Sequence, residues 1–553
     1  MIFRNQYVIY IVMAFYALYS CKSVSQKQSG STPLKSYISE VWQSDRGDGT
    51  YTNPILYADY SDPDVIRVKD DYYMTASSFN CVPGLPVLHS KDLVNWQIIN
   101  YALEKQIPEA VFDIPQHSKG VWAPSIRFHK GEFYIYWGDP DFGVYMVKTK
   151  DIYDKWEKPV LVMTGKGIID PCPLWDGENT YLVHGWAGSR AGINSLLTIN
   201  KMNAEGTAVL DEGQNVFDGH DRHHTMEGPK LYKKDNYYYI FAPAGGVETG
   251  WQVAMRSKNI YGPYEDKIVL EQGSTTINGP HQGAWVTTPD EKSWFLHFQD
   301  QGVYGRVLHL QPMEWKDGWP IIGKDYDGNG VGEPILSGAK PVIGNNLPRI
   351  HPVESDEFDN GKPDLQWQWY ANPSIKWSAQ IPGTGYLRLF TISQKEEPNL
   401  WNVPNLLLQK LPAPNFTATT KVKLTTEWQT PGKKAGLLLM GKSYAYLAIA
   451  FHDEKYWVQQ ISCANANEGT AEKLIGEKVL SSNEVQLRMK ITAPNAACQF
   501  SYSENGIDFT KIGEEAKAEK DLWISAKIGI FAISQPKVRM GGYADFDWFR
   551  ITK

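Results

Sequence analysis

The sequence predicts an all-β protein, in which a five-bladed β-propeller is followed by a β-sandwich. Two observations support this prediction. An aromatic strand pattern recurs five times between residues 53 and 325, and no helical periodicity competes with it. After a linker rich in proline and glycine, short alternating strands separated by turn signals fill about 200 residues, which is typical of an antiparallel sandwich.

The recurring unit is a turn of one or two residues followed by an aromatic-rich strand. Its markers are spaced 61, 47, 57 and 57 residues apart and are Tyr73, Tyr134, Tyr181, Tyr238 and Phe295. A four-stranded propeller blade needs about 40 to 50 residues, and more where loops are inserted. Five such units therefore predict five blades.

Residues upstream of the markers also align. Asp62, Asp170 and Glu227 each lie eleven residues before a marker, Trp122 lies twelve before, and His281 fourteen before. If each begins the innermost strand of its blade, all five surround the same end of the propeller axis. Asp-Pro alone commonly opens a turn, and Glu227 alone could be an ordinary surface residue. Acids at three matching points of a repeat instead favour a catalytic pocket.

Such a pocket suits hydrolysis of a glycosidic bond, which needs a protonated carboxylic acid and a second carboxylate. We predict that Glu227, held by the turn at Gly228 and Pro229, donates the proton and that Asp62 acts as the base. Asp170 would raise the pKa of the acid by like-charge repulsion. An acid and a base across the mouth predict a separation of roughly 6.5–9.5 Å and inversion, whereas roughly 5–5.5 Å would indicate retention.

Composition excludes some partners and favours others. The chain of 553 residues has a net charge of −7, which leaves no basic footprint for nucleic acid or for an anionic membrane surface. Its 20 Trp and 31 Tyr suit sugar binding, because the C–H faces of sugar rings pack on aromatic rings. We therefore expect a neutral carbohydrate partner.

Residues 1–21 predict an export signal. Arg4 precedes an uncharged apolar run from Tyr7 to Tyr19, which is too short to span a bilayer as a helix. The sequence Leu-Tyr-Ser-Cys at 18–21 resembles a bacterial lipobox, in which Cys21 carries a lipid anchor, and simple cleavage into the periplasm is the alternative. We expect a periplasmic protein or an outer-membrane lipoprotein of a Gram-negative bacterium, in contact with the membrane only through that anchor.

The remaining boundaries follow from composition and pattern. Residues 22–50 form a predicted tether, 51–325 the propeller, 326–352 a linker and 353–553 the sandwich. The sandwich either binds sugar or buttresses the propeller, and we favour the second role. Within it, Cys463 and Cys498 could pair or remain free.

Ordered motifs along the propeller resemble glycoside hydrolase family 43. They are Asn53-Pro54-Ile55, Asp62-Pro63-Asp64, Trp122-Ala123-Pro124-Ser125-Ile126, Ile169-Asp170-Pro171, Glu227-Gly228-Pro229 and Gly305-Arg306. The sandwich is similar to the concanavalin-like domain of the family's arabinofuranosidase and xylosidase branch. The resemblance implies an inverting mechanism that requires no cofactor, with Asp62 as general base, Asp170 as pKa modulator and Glu227 as general acid.

The same resemblance implies roles for three further residues. Trp122 is expected to stack on the terminal sugar, and Arg306 to bind its hydroxyls and help position Asp170. His281 matches an axial histidine that many members use near a water or a Ca²⁺ ion, so a structural Ca²⁺ near His281 is expected as an option. Gln282 departs from the small residue that is common beside this histidine.

The pocket wall and its substrate are less strongly specified. Phe79, Asn80 and Trp186 follow aromatic strands and are candidates for the wall, with core packing as the alternative. Closure by Trp122 and by the loop at 82–86 predicts removal of one terminal sugar from a plant cell-wall oligosaccharide. We predict release of α-L-arabinofuranose from hemicellulose side chains, with β-1,4-xylosidase activity, alone or combined, as the alternative. A non-catalytic carbohydrate-binding propeller is the alternative of another class, but it would not need three aligned carboxylates.

Overall fold

Five four-stranded antiparallel sheets follow one another along the chain, which confirms the predicted five-bladed propeller. The computed structural model describes residues 37–341, 347–381, 383–394, 399–538 and 541–553. From the innermost strand outward, the strands are Asp64–Val68, Asp71–Thr75, Gly84–Ser90 and Trp96–Leu103 in blade 1; Trp122–His129, Glu132–Asp139, Gly143–Thr149 and Val160–Thr164 in blade 2; Ile168–Asp176, Asn179–Trp186, Leu196–Met202 and Gln214–Asp218 in blade 3; Lys230–Lys234, Tyr237–Ala244, Trp251–Ser257 and Glu265–Leu270 in blade 4; and His281–Thr287, Ser293–Asp300, Arg306–Lys316 and Trp319–Ile322 in blade 5.

All five aromatic markers lie on the second strand of their blade. Side chains alternate between the two faces of a strand, and in these strands both faces are buried. In blade 1, Tyr72 packs in the hydrophobic cluster shared with blade 5, whereas Tyr73 packs in the cluster shared with blade 2. Equivalent clusters join the other neighbouring blades, so the ring is closed. Burial of both faces explains why the aromatic residues run consecutively instead of alternating with polar ones.

Each innermost strand is preceded or opened by the same backbone distortion. One residue there has a positive φ, and these residues are Asp62 (56°), Ala123 (35°), Asp170 (58°), Gly228 (58°) and Gln282 (36°). Aspartate and glycine tolerate this left-handed region better than most residues. In blades 2, 3 and 5 the register with the second strand also shifts here, as in a β-bulge. A bulge redirects side chains, and the aligned candidate residues lie at or directly before it.

Two sheets pack face to face in the C-terminal part of the chain and form the predicted sandwich. In spatial order, the first sheet contains Gln368–Trp369, Leu407–Lys410, Lys527–Ser534, Lys433–Met440, Tyr444–His452, Lys455–Cys463 and Lys473–Val479, with Ile392–Ser393 beside Lys527–Ser534. The second contains Ser378–Ala379, Leu387–Phe390, Gly542–Thr552, Phe416–Thr426, Glu484–Thr492, Ala497–Ser503 and Thr510–Lys511. Cys463 and Cys498 lie in different sheets and are both free thiols.

Short elements complete the described chain. Thr50–Thr52 pairs with Ser337–Ala339, which lies in the stretch predicted as a linker. The helical turns are Glu109–Phe112, Gly188–Ala191, Gly302–Tyr304, Leu400–Asn402, Glu427–Gln429 and Ala466–Glu468. Among the residues that the structure describes, no helix has the length and apolar character needed to cross a membrane. The predicted signal, lipobox and most of the tether lie outside the described residues.

A loop of the sandwich contacts the propeller near the heads of the innermost strands. The backbone N–H of Trp523 donates to Ser118 Oγ at 3.1 Å, and that of Ser525 donates to Asp59 Oδ2 at 2.9 Å. The segment 523–526 therefore lies at the propeller face that carries the aligned carboxylates.

Candidate active site

The three aligned carboxylates come together at one end of the propeller, and their exposure differs. Asp62 and Asp170 are 8% and 3% exposed, whereas the side chain of Glu227 is 38% exposed. The negative charges of Glu227 and Asp62 both act to raise the pKa of Asp170, as expected for near neighbours. Glu227 is therefore the most exposed of the three at the mouth.

Asp62 is held as a hydrogen-bond acceptor through both of its oxygens. Ser77 Oγ donates to Oδ2 at 2.5 Å, and Arg306 Nη1 donates to Oδ1 at 3.1 Å. Ser77 Oγ in turn accepts from the N–H of Ala123 in blade 2 at 2.8 Å. These contacts orient the carboxylate from two neighbouring blades.

Asp170 lies behind Glu227 and is tied to blades 4 and 5. Its Oδ2 accepts from the Gly228 N–H at 2.7 Å and from Gln282 Nε2 at 3.3 Å. Burial, followed by the charge of Glu227, raises the pKa of Asp170 well above its ordinary value, while the Gly228 N–H acts in the opposite direction.

Glu227 has the opposite shift to the one predicted. Burial acts to raise its pKa, but the hydrogen bond and charge of His281, with the charge of Arg306, outweigh burial and lower the pKa of Glu227. His281 Nε2 lies 3.0 Å from Glu227 Oε1. For the free protein these directions are opposite to those expected from Asp170 acting on Glu227. The difference arises from His281, whose contact with Glu227 carries no signal in the sequence.

Trp122 lies at the mouth with its indole fixed in place. Its Nε1 donates to Ser118 O at 2.7 Å, and the Arg190 guanidinium lies 5.6 Å from the ring centroid. Trp523 from the sandwich approaches it edge-on, with ring centroids 6.3 Å apart. The predicted sugar platform therefore has walls from two blades and from the C-terminal domain.

Arg306 pairs with Asp62, the predicted base, and not with Asp170, the predicted modulator. Its Nη1 donates to Ser61 Oγ at 2.7 Å and to Asp62 Oδ1 at 3.1 Å, and the second is the one carboxylate contact of its side chain among the described residues. The guanidinium carbon lies 4.8 Å from the Phe298 centroid and 5.6 Å from that of Trp523. Arg306 thus contacts Asp62 instead of Asp170 as expected. Asp170 is held by Gly228 and Gln282.

Of the three wall candidates, Asn80 and Phe79 are buried, whereas Trp186 is partly buried. Asn80 is fully buried, and its Nδ2 donates to Tyr370 O at 2.8 Å. Phe79 is 4% exposed and pairs through its backbone with Val121. Trp186 is partly buried and donates through Nε1 to Thr198 Oγ1 at 2.8 Å. Their described contacts fit core packing, the alternative considered for all three.

The surroundings of His281 do not fit a Ca²⁺ ion. Calcium takes six to eight oxygen ligands, most of them carboxylates and carbonyls. Across the described ranges, no group of three or more His, Cys, Asp or Glu residues is arranged to hold a metal. Nε2 of His281 is engaged by Glu227, so the expected structural Ca²⁺ has no support.

Sequence reasoning missed several residues that complete the site. Two of these residues are Ser77 and Lys230. Their polar contacts cross between blades, so they leave no periodic signal in the sequence. Gln282 was noted only as a departure from a pattern, although it holds Asp170. Trp523 belongs to another domain, and a tryptophan in a loop between predicted strands gives no sequence signal that it lies beside Trp122.

Two family models match the chain. Residues 51–320 match the model described as glycosyl hydrolases family 43. Residues 355–552 match the model described as the β-xylosidase C-terminal concanavalin A-like domain.

Individual relatives extend over most of the chain. A protein of Formosa agariphila named β-xylosidase is 31% identical over 586 residues, covering 96% of this chain and 95% of its own. A protein of Bacteroides ovatus named non-reducing end α-L-arabinofuranosidase is 31% identical over 411 residues, covering 70% of this chain and 73% of its own. The solved structure of BlXynB from Bacillus licheniformis has a TM-score of 0.77 at 28% identity, covering 91% of this chain and 99% of its own. The chain is a glycosidase and belongs to glycosyl hydrolase family 43.

Proposed function

We propose that this glycosidase is exo-acting and inverting, and that it removes one terminal pentose from hemicellulose oligosaccharides. The observation that carries the proposal is the contrast between two carboxylates. Asp62 has both oxygens held as acceptors, whereas Glu227 is partly exposed beside the buried Asp170. The base and the acid of a glycosidase need such different environments.

The proposed reaction uses these two residues in one displacement. Glu227 transfers its proton to the glycosidic oxygen as the bond from that oxygen to the anomeric carbon breaks. Asp62 takes a proton from a water molecule, whose oxygen attacks the anomeric carbon from the opposite face. The sugar leaves with inverted configuration, and proton exchange with solvent restores both carboxyl groups.

The donated proton is drawn from the Asp170–Glu227 pair. Two interacting carboxyl groups titrate as a unit, so the pair retains one proton after the other is lost. Asp170 is too deeply buried to reach a leaving group, at 3% exposure, whereas Glu227 reaches the mouth. We propose that Glu227 delivers the proton of this pair to the leaving oxygen as negative charge develops there.

The named relatives favour xylose as the released sugar, with arabinofuranose as the second candidate. The Formosa agariphila relative, named β-xylosidase, matches nearly the whole chain, propeller and sandwich together. The Bacteroides ovatus relative, named α-L-arabinofuranosidase, supports the sugar that we predicted from the sequence. We therefore propose β-xyloside hydrolysis first, and α-L-arabinofuranoside hydrolysis second.

Hydrolysis of nitrophenyl β-D-xyloside, nitrophenyl α-L-arabinofuranoside and xylo-oligosaccharides tests this proposal. We expect wild type to have the higher kcat/KM on the xyloside, and Glu227→Ala to lose about 10²–10⁴-fold on xylo-oligosaccharides. The loss on nitrophenyl substrates should be smaller, because nitrophenolate leaves without protonation. Glu178→Ala, in an exposed turn of blade 3, is the matched control. A preference for the arabinofuranoside would reverse the order of the two proposed sugars. Failure to cleave either pentoside or the oligosaccharides would overturn the proposed function.

We further propose that the enzyme is exported and anchored through Cys21, from the pattern in residues 1–21. Expression of wild type and Cys21→Ser in a Gram-negative host, with membrane fractionation, tests this. We expect wild type in the membrane fraction and the variant outside it. Wild type recovered only as soluble periplasmic protein would contradict the anchor.

A further inference from the structure

Lys230 is a buried lysine that the reaction described above does not use. It is 1% exposed and is the first residue of the innermost strand of blade 4. Its Nζ donates to Pro124 O at 3.0 Å and to Ser125 Oγ at 2.8 Å, both in the innermost strand of blade 2. The side chain therefore reaches past blade 3 and joins two blades that are not neighbours.

The cost of burying this ammonium group argues for a role beyond packing. A buried cation is destabilising unless nearby groups compensate for its lost hydration. Its two described hydrogen-bond acceptors, Pro124 O and Ser125 Oγ, are neutral. The charge of Lys230 acts to lower the pKa of Asp170, so the carboxylate cluster lies within electrostatic reach of the ammonium group.

Lys230 also ends a chain of contacts that links the acid to the base. Its partners Pro124 and Ser125 directly follow Ala123, whose N–H donates to Ser77 Oγ at 2.8 Å. Ser77 Oγ then donates to Asp62 Oδ2. At the other end, Lys230 follows Glu227 by three residues. One side chain thus ties the segment of the acid to the hydrogen-bond support of the base.

We propose that Lys230 is a positioning residue that holds the Glu227 segment at a fixed distance from Asp62 and supplies the cation that balances the carboxylate cluster. This inference rests on the proposed function. A misplacement of about 1 Å between acid and base can lower the rate about 10²-fold. A side chain that fixes this distance therefore affects catalysis without contacting the substrate.

The charged and titratable groups around the cluster determine the sign of the expected pH effect. They come from four blades and are Asp62, Asp170, Glu227, His281 and Arg306, with the Asp64–Arg127 ion pair further along the axis. A nearby cation lowers the pKa of a carboxyl group, so its removal raises that pKa. Loss of the Lys230 charge should therefore move both limbs of the pH–rate profile to higher pH.

Lys230→Met tests the proposal, because methionine keeps much of the volume and removes the charge and both hydrogen bonds. We expect kcat on the preferred pentoside to fall about 10- to 100-fold with KM nearly unchanged, and both pH limbs to rise by about one unit. Lys233→Met is the control, since Lys233 lies on the same strand but is exposed and pairs with Asp176. A folded Lys230→Met variant with the wild-type kcat and pH limbs would overturn the inference.

A second variant keeps the test decisive if Lys230→Met does not fold. Ser125→Ala removes one acceptor and keeps the charge, so kcat should fall several-fold while the pH limbs stay in place. An unchanged kcat in Ser125→Ala, with Lys230→Met unfolded, would overturn the positioning role. Wild type is measured in parallel to separate the two proposals. Failure of wild type to cleave any pentoside would contradict the proposed function. An active wild type with unaffected variants would contradict only this inference.

Discussion

Trp523 of the C-terminal sandwich lies edge-on to Trp122 of the propeller, with ring centroids 6.3 Å apart and ring planes at 77°. The Arg306 guanidinium, which holds Asp62, lies 5.6 Å from the Trp523 centroid. The sandwich therefore places an aromatic side chain beside Trp122, a contact that suits the sugar-binding role considered from the sequence as well as the buttressing role that we favoured.

Replacement of Trp523 by alanine should weaken binding of oligosaccharides. An aromatic contact of this kind contributes about 1 kcal/mol, so we expect KM on xylo-oligosaccharides to rise about five-fold with a smaller change in kcat. Leu522→Ala is the matched control, because Leu522 is adjacent and 54% exposed. Steady-state kinetics of the two variants checks this, and equal KM values would show that Trp523 does not contact substrate.

His281 should set the upper pH limit of activity. It lowers the pKa of Glu227, so its removal should raise that pKa and move the alkaline limb of the pH–rate profile upward by about one unit. His281→Leu is suitable, because Nδ1 has no described partner and a leucine leaves only Glu227 without its contact.

His309→Leu provides the control for this profile. His309 is buried in the same blade and stacks on His297, at a centroid distance of 5.2 Å. Burial holds its pKa well below the ordinary value, so the ring is neutral and its loss should not move either limb. An unmoved alkaline limb in His281→Leu would contradict the assigned contact.

Glu354 should make the fold less stable as the pH rises. It accepts from Ser39 Oγ at 2.6 Å and from Tyr37 Oη at 3.2 Å, and burial raises its pKa from 4.5 to about 7. A carboxyl group whose pKa is raised on folding contributes no penalty below its unfolded pKa and its full penalty above its folded pKa. The penalty therefore develops between about pH 4.5 and 7 and reaches at most about 3 kcal/mol.

Glu354→Gln removes this penalty, because an amide stays neutral and can still accept from Ser39. Thermal melts at pH 5 and pH 8 should show the variant gaining stability over wild type at pH 8 and little at pH 5. Glu212→Gln, at an exposed position, should show no such trend. The same difference from wild type at both pH values would refute the shift.

Periodic features were the ones that could be predicted from the sequence. Tyr73 and its four counterparts recur because both faces of each second strand are buried, and Asp62, Asp170 and Glu227 align because each blade begins with the same positive-φ distortion. The number of blades and the meeting of the carboxylates follow from that repetition.

Contacts that cross the repeat could not be predicted. The pairing of Arg306 with Asp62, the contact of His281 with Glu227 and the approach of Trp523 each depend on side chains from distant elements. Their consequence is electrostatic, since His281 reverses the order of pKa values expected for Asp170 and Glu227. Alignment of acids within a repeat predicts which groups meet, but not the direction in which each pKa is shifted.

The central claim, displacement by water activated at Asp62 with Glu227 as the acid, is tested most directly by ¹H NMR of the sugar first released from the preferred β-xyloside or α-L-arabinofuranoside. An inverting enzyme releases the opposite anomer first, α-xylose from a β-xyloside, before mutarotation equilibrates the product. We predict that inverted anomer at early times. Initial release of the retained anomer would require a glycosyl-enzyme intermediate and would contradict the role assigned to Asp62.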